Sequence, residues 1–248
     1  MNFEDVLELF YSQIIKSGDL VVDIGAHSGR HCRPMATLVG AQGKVVAFEP
    51  SPTPRQWLIN QLIAANLSEI VTIYPYAIGA VARHTTFIIA DDRLEESGLK
   101  KREYNGPTTT SEVEVDVVVL DTLVTQIGEH IRFIKIDVEG AEFDVLKGAR
   151  RILKKHRPVV AFEFGESSYS AYDVDPFAVY DFFSALDYQL YSVLGEPLGR
   201  ERFVEASKTQ LFWDYIACPN SDISTIEAAF DVVRQHYPVP TNKERLEQ

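Results

Sequence analysis

Apolar residues are arranged along this chain in two alternating styles. Short, nearly unbroken runs at 20–24, 44–48, 70–78, 131–136 and 159–164 read as buried strands. Between them lie stretches whose apolar residues fall three and four apart, the spacing of one helix face. The pattern predicts a helix over 1–19, a strand over 20–24 and a helix over 29–39, with Pro34 forcing a kink or a late start. A strand at 44–48, a helix at 55–66 and a strand at 70–78 follow. Strand and helix in strict alternation imply right-handed crossovers, hence an α/β fold with a mostly parallel sheet and helices on both faces.

The rhythm changes after residue 80. Residues 84–90 and 112–120 read as two extended segments, the second alternating around Val113, Val115 and Val117. The charged stretch 91–111 between them is long for a plain connector, and reads as a solvated hairpin loop or a substrate lid. A short helix from Asp121, the strand at 131–136, a helix ending at 153 and the strand at 159–164 restore the alternation. A helix at 176–186 precedes strands at 188–194 and 211–217, expected as an antiparallel pair at the sheet edge. A helix at 223–236 and a loose polar tail at 238–248 end the chain. One domain is expected over 1–248: the opening helix, a core at 20–219 with a hairpin insertion at about 84–120, and the terminal helix and tail at 220–248.

Composition narrows the setting. A chain of 248 residues, 46% of them hydrophobic, can fill one sizeable α/β core. The net charge of −12 argues against duplex nucleic acid or an anionic membrane as the main partner. Cys32 and Cys218 stand far apart with no metal-ligand spacing, which suits a reducing compartment. Glu4, Asp5 and Glu8 make the first segment an amphipathic helix and not a signal peptide, and no apolar run approaches membrane-spanning length. Cytoplasm is the expected location.

The candidate chemistry gathers around Val21-Val22-Asp23-Ile24-Gly25-Ala26-His27-Ser28-Gly29. An apolar strand ends in an acid and turns through glycines into a helix, so backbone amides lie open to a ligand. Gly25 and Gly29 do not fit the G-x-G-x-x-G dinucleotide spacing, which disfavours a nicotinamide-dependent oxidoreductase. Asp23 would repel a pyrophosphate and attract an ammonium group. A nucleoside with a cationic amino-acid tail fits, and S-adenosylmethionine is the obvious one. Glu49, at the end of the next strand, can accept both hydroxyls of a ribose. Ala77 and Ile78 can flank an adenine ring, although core packing explains both as well. His27 and His31 flank the turn, and His27 is a minor candidate base.

A second cluster comprises Asp137, Glu139 and Glu142, with Glu163 and Glu166 one strand over. Five acids at neighbouring strand ends repel one another and call for a cation, raised pKa values or solvent. Asp137 also reads as a helix N-cap and Glu142 as a first-turn acid favoured by the helix dipole. Glu163 lies between Phe162 and Phe164, where burial can raise its pKa toward that of a general base. Alternatively Asp137, Glu139 and Glu163 bind a hard divalent cation, the less favoured reading. Tyr169, Tyr172, Asp173 and Asp175 could form a polar, aromatic acceptor surface, and a plain loop explains them equally.

Five blocks together resemble the FkbM family of S-adenosylmethionine-dependent methyltransferases. They are Val22 to Gly29, Ala47-Phe48-Glu49-Pro50, Ala77-Ile78-Gly79, Leu120-Asp121-Thr122-Leu123, and Ile134-Lys135-Ile136-Asp137-Val138-Glu139-Gly140-Ala141-Glu142. The last, followed by Val145-Leu146-Lys147-Gly148-Ala149, is the most specific. The resemblance covers about 20–166 and implies a Rossmann-like, seven-stranded methyltransferase sheet. It places Asp23 and the glycine turn (Gly25, Ala26, His27 and Gly29) on the methionine part of the cofactor and Glu49 on its ribose. It implies methyl transfer to a hydroxyl of a sugar, glycan or natural product; the acidic cluster then offers Asp137, Glu139 or Glu163, in no order, to take the acceptor's proton. His27 departs from the family, where asparagine often stands. A metal-assisted O-methyltransferase and a non-catalytic nucleoside-binding protein remain the alternatives.

Overall fold

The computed structural model describes residues 1–128 and 130–238 of the chain. The expected tail at 238–248 therefore falls, beyond Pro238, outside the described residues. The first helix is Phe3–Ile14, capped by the Asn2 side chain, and buries Val6, Leu7, Phe10 and Tyr11. Strands β1 (Leu20–Ile24) and β2 (Lys44–Phe48) are joined through the helix Cys32–Val39. Pro34 sits in the first turn of that helix, where a missing N–H costs nothing, so it delays the start and does not kink the helix. The helix Pro52–Ala64 leads to β3 (Val71–Tyr74).

The expected strand at 70–78 is two strands. Pro75 cannot donate to a ladder, and beyond it β4 (Tyr76–Ile78) leaves the main sheet. β4 pairs in parallel with β6 (Thr110–Val118), which forms an antiparallel hairpin with β5 (Arg83–Ala90). The result is a small second sheet, β4-β6-β5.

β7 (Ile131–Ile136) returns to the main sheet beside β1, followed by β8 (Val159–Glu163), β9 (Tyr188–Ser192), β10 (Pro197–Leu198) and β11 (Asp214–Pro219). The main sheet runs β10-β9-β11-β8-β7-β1-β2-β3, eight strands among the described residues where seven were expected. The extra one is the two-residue β10, which turns back on β9. β3, β2, β1, β7 and β8 are parallel, and β11 lies antiparallel between β8 and β9, as the expected terminal pair. Two further expectations need correction. The helix ending at 153 is two helices, Glu142–Gly148 and Arg150–His156, broken at Ala149. The charged helix Arg200–Thr209, which buries Phe203 and Val204, has too polar a pattern to stand out in the sequence. β1 is the switch point: the chain leaves it toward β2 on one side and returns as β7 on the other. The carboxyl tips diverge there and open a crevice.

Candidate functional site

A cavity of about 360 Å³ occupies that crevice. Its wall includes Asp23, Gly25, Ala26 and His27 from the first turn, Glu49 from the tip of β2, Ala77 and Ile78 from β4, and Asp137, Glu139 and Glu163 from the tips of β7 and β8. Ten of the eleven expected site residues thus converge from five chain segments. Gly29 alone is missing from the wall; its amide donates to the Ala26 carbonyl at 2.9 Å and closes the turn behind the cavity.

The turn has the conformation the glycines suggested. Gly25 has φ +82°, and a Cβ there would lie 1.7 Å from the Asp137 carbonyl oxygen, so β1 and β7 meet only because position 25 has no side chain. His27 also adopts positive φ, +46°. Its ring meets Trp57 edge-on, and its Nε2 is buried without a hydrogen-bond partner among the described residues. Burial lowers the His27 pKa, which leaves the ring neutral near pH 7.

Asp23 is 1% exposed, and neither carboxylate oxygen has a hydrogen-bond partner among the described residues. Burial raises its pKa to about 6, against the pull of the Lys135 ammonium. Glu49 is held differently. One oxygen accepts the His27 amide at 2.8 Å and the other the Ser51 amide at 2.7 Å. Burial still outweighs these bonds and pushes it up to about 7. Each oxygen keeps an acceptor site open, enough for a vicinal diol.

Beside the Gly25 turn, at the tips of β7 and β8, oxygens of Asp137, Glu139 and Glu163 lie within 4.8 Å of one another. Two cations already address this cluster. Lys135, 4% exposed, donates to Asp137 at 2.7 Å, and Arg102 from the 91–111 segment pairs with Glu139. Burial alone would raise Asp137, but Lys135 outweighs it and holds the carboxyl below its ordinary range. Burial first and the Asp137 charge second push the Glu163 carboxyl well above the usual carboxylate range, which favours its protonated form beside Asp137. Glu139 is raised for the same two reasons, opposed by Arg102.

Several expectations are corrected here. Asp137 caps no helix, since the helix begins at Glu142. Glu142 points away from the cavity and accepts the Val138 and Gly140 amides at 3.0 and 3.1 Å, fixing the turn that carries Glu139 at φ +58°. Glu166 is exposed and does not join the cluster. Tyr169, Tyr172, Asp173 and Asp175 are absent from the cavity wall. The Tyr172 hydroxyl accepts the Lys100 amide at 3.0 Å, and Asp175 caps the helix Pro176–Ser184. The segment 91–111 is not a free solvated loop: Leu94, Ser97, Leu99 and Arg102 line the cavity, and Gly98 pairs with Ile88.

Lys135 and Arg102 escaped the sequence reading. Lys135 had left a signal, a lysine between two isoleucines of a core strand. Arg102 had left none, because its partner lies 37 residues away.

A doubly wound sheet with a nucleoside-sized crevice at its switch point, lined by acids at the tips of β1 and β2, defines a Rossmann-like fold of the methyltransferase type. The Methyltransferase FkbM domain matches residues 23–190, and the chain belongs to the FkbM methyltransferase family. "Methyltransferase 1" of Beauveria bassiana is 27% identical over 150 residues, 52% of this chain and 57% of that protein. The crystal structure of an FkbM methyltransferase from Methylobacillus flagellatus aligns with TM-score 0.48 and 20% identity, over 82% of this chain and 44% of that one. A Streptococcus mutans protein solved in complex with SAH aligns with TM-score 0.50 and 13% identity, over 88% of this chain and 98% of that one. The alignments thus span about half of the first two relatives' lengths. No helix among the described residues is long and apolar enough to cross a membrane.

Proposed function

We propose that this protein is an S-adenosylmethionine-dependent methyltransferase that modifies a hydroxyl of a sugar, glycan or natural-product acceptor. The observation that carries the cofactor reading is Asp23: a fully buried carboxylate facing the cavity with both oxygens unpartnered. Such a group is costly unless a cation completes it. The α-ammonium of the cofactor is that cation, Glu49 receives the ribose diol, and Ala77 and Ile78 border the base.

When bound, the cofactor supplies an electrophilic methyl on a sulfonium, whose departure as a neutral thioether needs no acid. The chain aligns the acceptor oxygen and removes its proton. Asp137, hydrogen-bonded to Lys135, faces the cavity and takes the hydroxyl proton, while Glu163 beside it helps to orient the acceptor. Glu139 is occupied by Arg102. With two of the three carboxylates already neutralised by cations of the chain, transfer proceeds without a divalent metal.

Thermal-shift titration tests the cofactor reading. SAM and SAH at 100 times their Kd should stabilise the protein by about 2.7 kcal/mol, and NAD at the same concentration should not. No shift with either sulfur compound at millimolar concentration would overturn it. Activity on hydroxylated acceptors that survives EDTA supports the metal-free route; loss restored by added Mg²⁺ or Mn²⁺ would replace it with the metal-assisted one.

A further inference from the structure

Lys135 occupies an unusual position. It lies within β7 between Ile134 and Ile136, in register with Asp23 on β1 and with Ala161 on β8. Ala161 is small, which leaves room for a long side chain. Residues two apart on a strand share a face, so the ammonium runs along the sheet to the Asp137 carboxylate at 2.7 Å. Burying an ammonium costs several kcal/mol, and the strand positions around it are filled by apolar residues. A lysine here is therefore a poor choice for packing alone.

The groups that act on it are Asp23 on β1, Asp137 beyond β7, Asp214 on β11 and Glu4 of the first helix, with His31 against Glu4 at 3.2 Å, while Glu163 on β8 meets Asp137. Asp137 alone among these acids takes a direct bond from the ammonium. Asp23 remains unbonded and open to the cavity.

We propose that Lys135 is a positioning residue: its ammonium holds the Asp137 carboxylate at the tip of β7 and aims it at the acceptor hydroxyl, while leaving Asp23 free for the ammonium of the cofactor. The inference rests on the methyl-transfer reading for its purpose, but the Lys135–Asp137 linkage can be measured without turnover. Lys135 thereby separates two carboxylates with different tasks on neighbouring strands.

Carboxyl ¹³C NMR titration of the ligand-free protein is the primary test. In K135M the Asp137 midpoint should rise by about one pH unit or more, and in K135R it should stay near the wild-type value. K135Q, which keeps a donor but no charge, should behave like K135M and serves if K135M does not fold. Kinetically, K135M and D137N should each lower kcat, with the double variant no slower than the slower single one. SAH affinity of the wild type, measured in parallel, reports on the cofactor reading separately. An unmoved Asp137 midpoint in folded K135M or K135Q, or losses that multiply in the double variant, would overturn the proposal.

Discussion

Replacing Asp23 by asparagine should make the ligand-free protein more stable while weakening its hold on the cofactor. In the folded chain the Asp23 pKa is raised from 3.8 to about 6 by burial, so the folded state binds the proton more tightly than the unfolded one. Stability from this group is therefore full below pH 4 and is lost as pH rises through about 6. At pH 7.5 the penalty is about two pKa units, or about 3 kcal/mol, and the Asp23→Asn variant does not carry it. The gap between variant and wild type should accordingly be small near pH 4 and open by pH 7.5. SAH affinity should move the other way, falling about 10- to 100-fold in the variant because a charge-assisted hydrogen bond is lost. Wild-type affinity should also rise with pH up to about 6 as the carboxyl ionises. Chemical denaturation at the two pH values and isothermal titration with SAH measure both sides. A variant less stable than wild type at pH 7.5, or one that binds SAH equally well, would refute the reasoning.

Glu49→Ala should lower SAH affinity at least tenfold, since the diol acceptor and the anchor of the His27 and Ser51 amides go together; titration calorimetry reads it. Gly25→Ala should fail to fold or lose more than about 4 kcal/mol, because the new Cβ collides with backbone at Asp137 and the φ of +82° is unfavourable; urea denaturation decides. Glu142→Ala should cost about 2 kcal/mol by leaving the Val138 and Gly140 amides without their acceptor. Glu142→Gln should retain an acceptor and, because burial raises the Glu142 pKa to about 7, should match or exceed wild-type stability above pH 7.

The fold class and half of the site were legible in the chain itself. Strand runs, the Asp23–Gly29 turn and the Glu49 strand end are encoded by neighbours in sequence, and a short-range pattern survives whatever packs around it. The break at Pro75 was also written locally, but the apolar run across it hid the change of sheet. The acidic cluster was visible only as an inventory. Tertiary structure sorted it: Glu142 went to a backbone turn, Glu166 to solvent, and Asp137, Glu139 and Glu163 to the cavity. It also brought Arg102 across 37 residues onto Glu139 and set Lys135 between Asp23 and Asp137. Charge, burial and proton affinity depend on which groups meet in space, and that is decided by strand order and not by spacing along the chain.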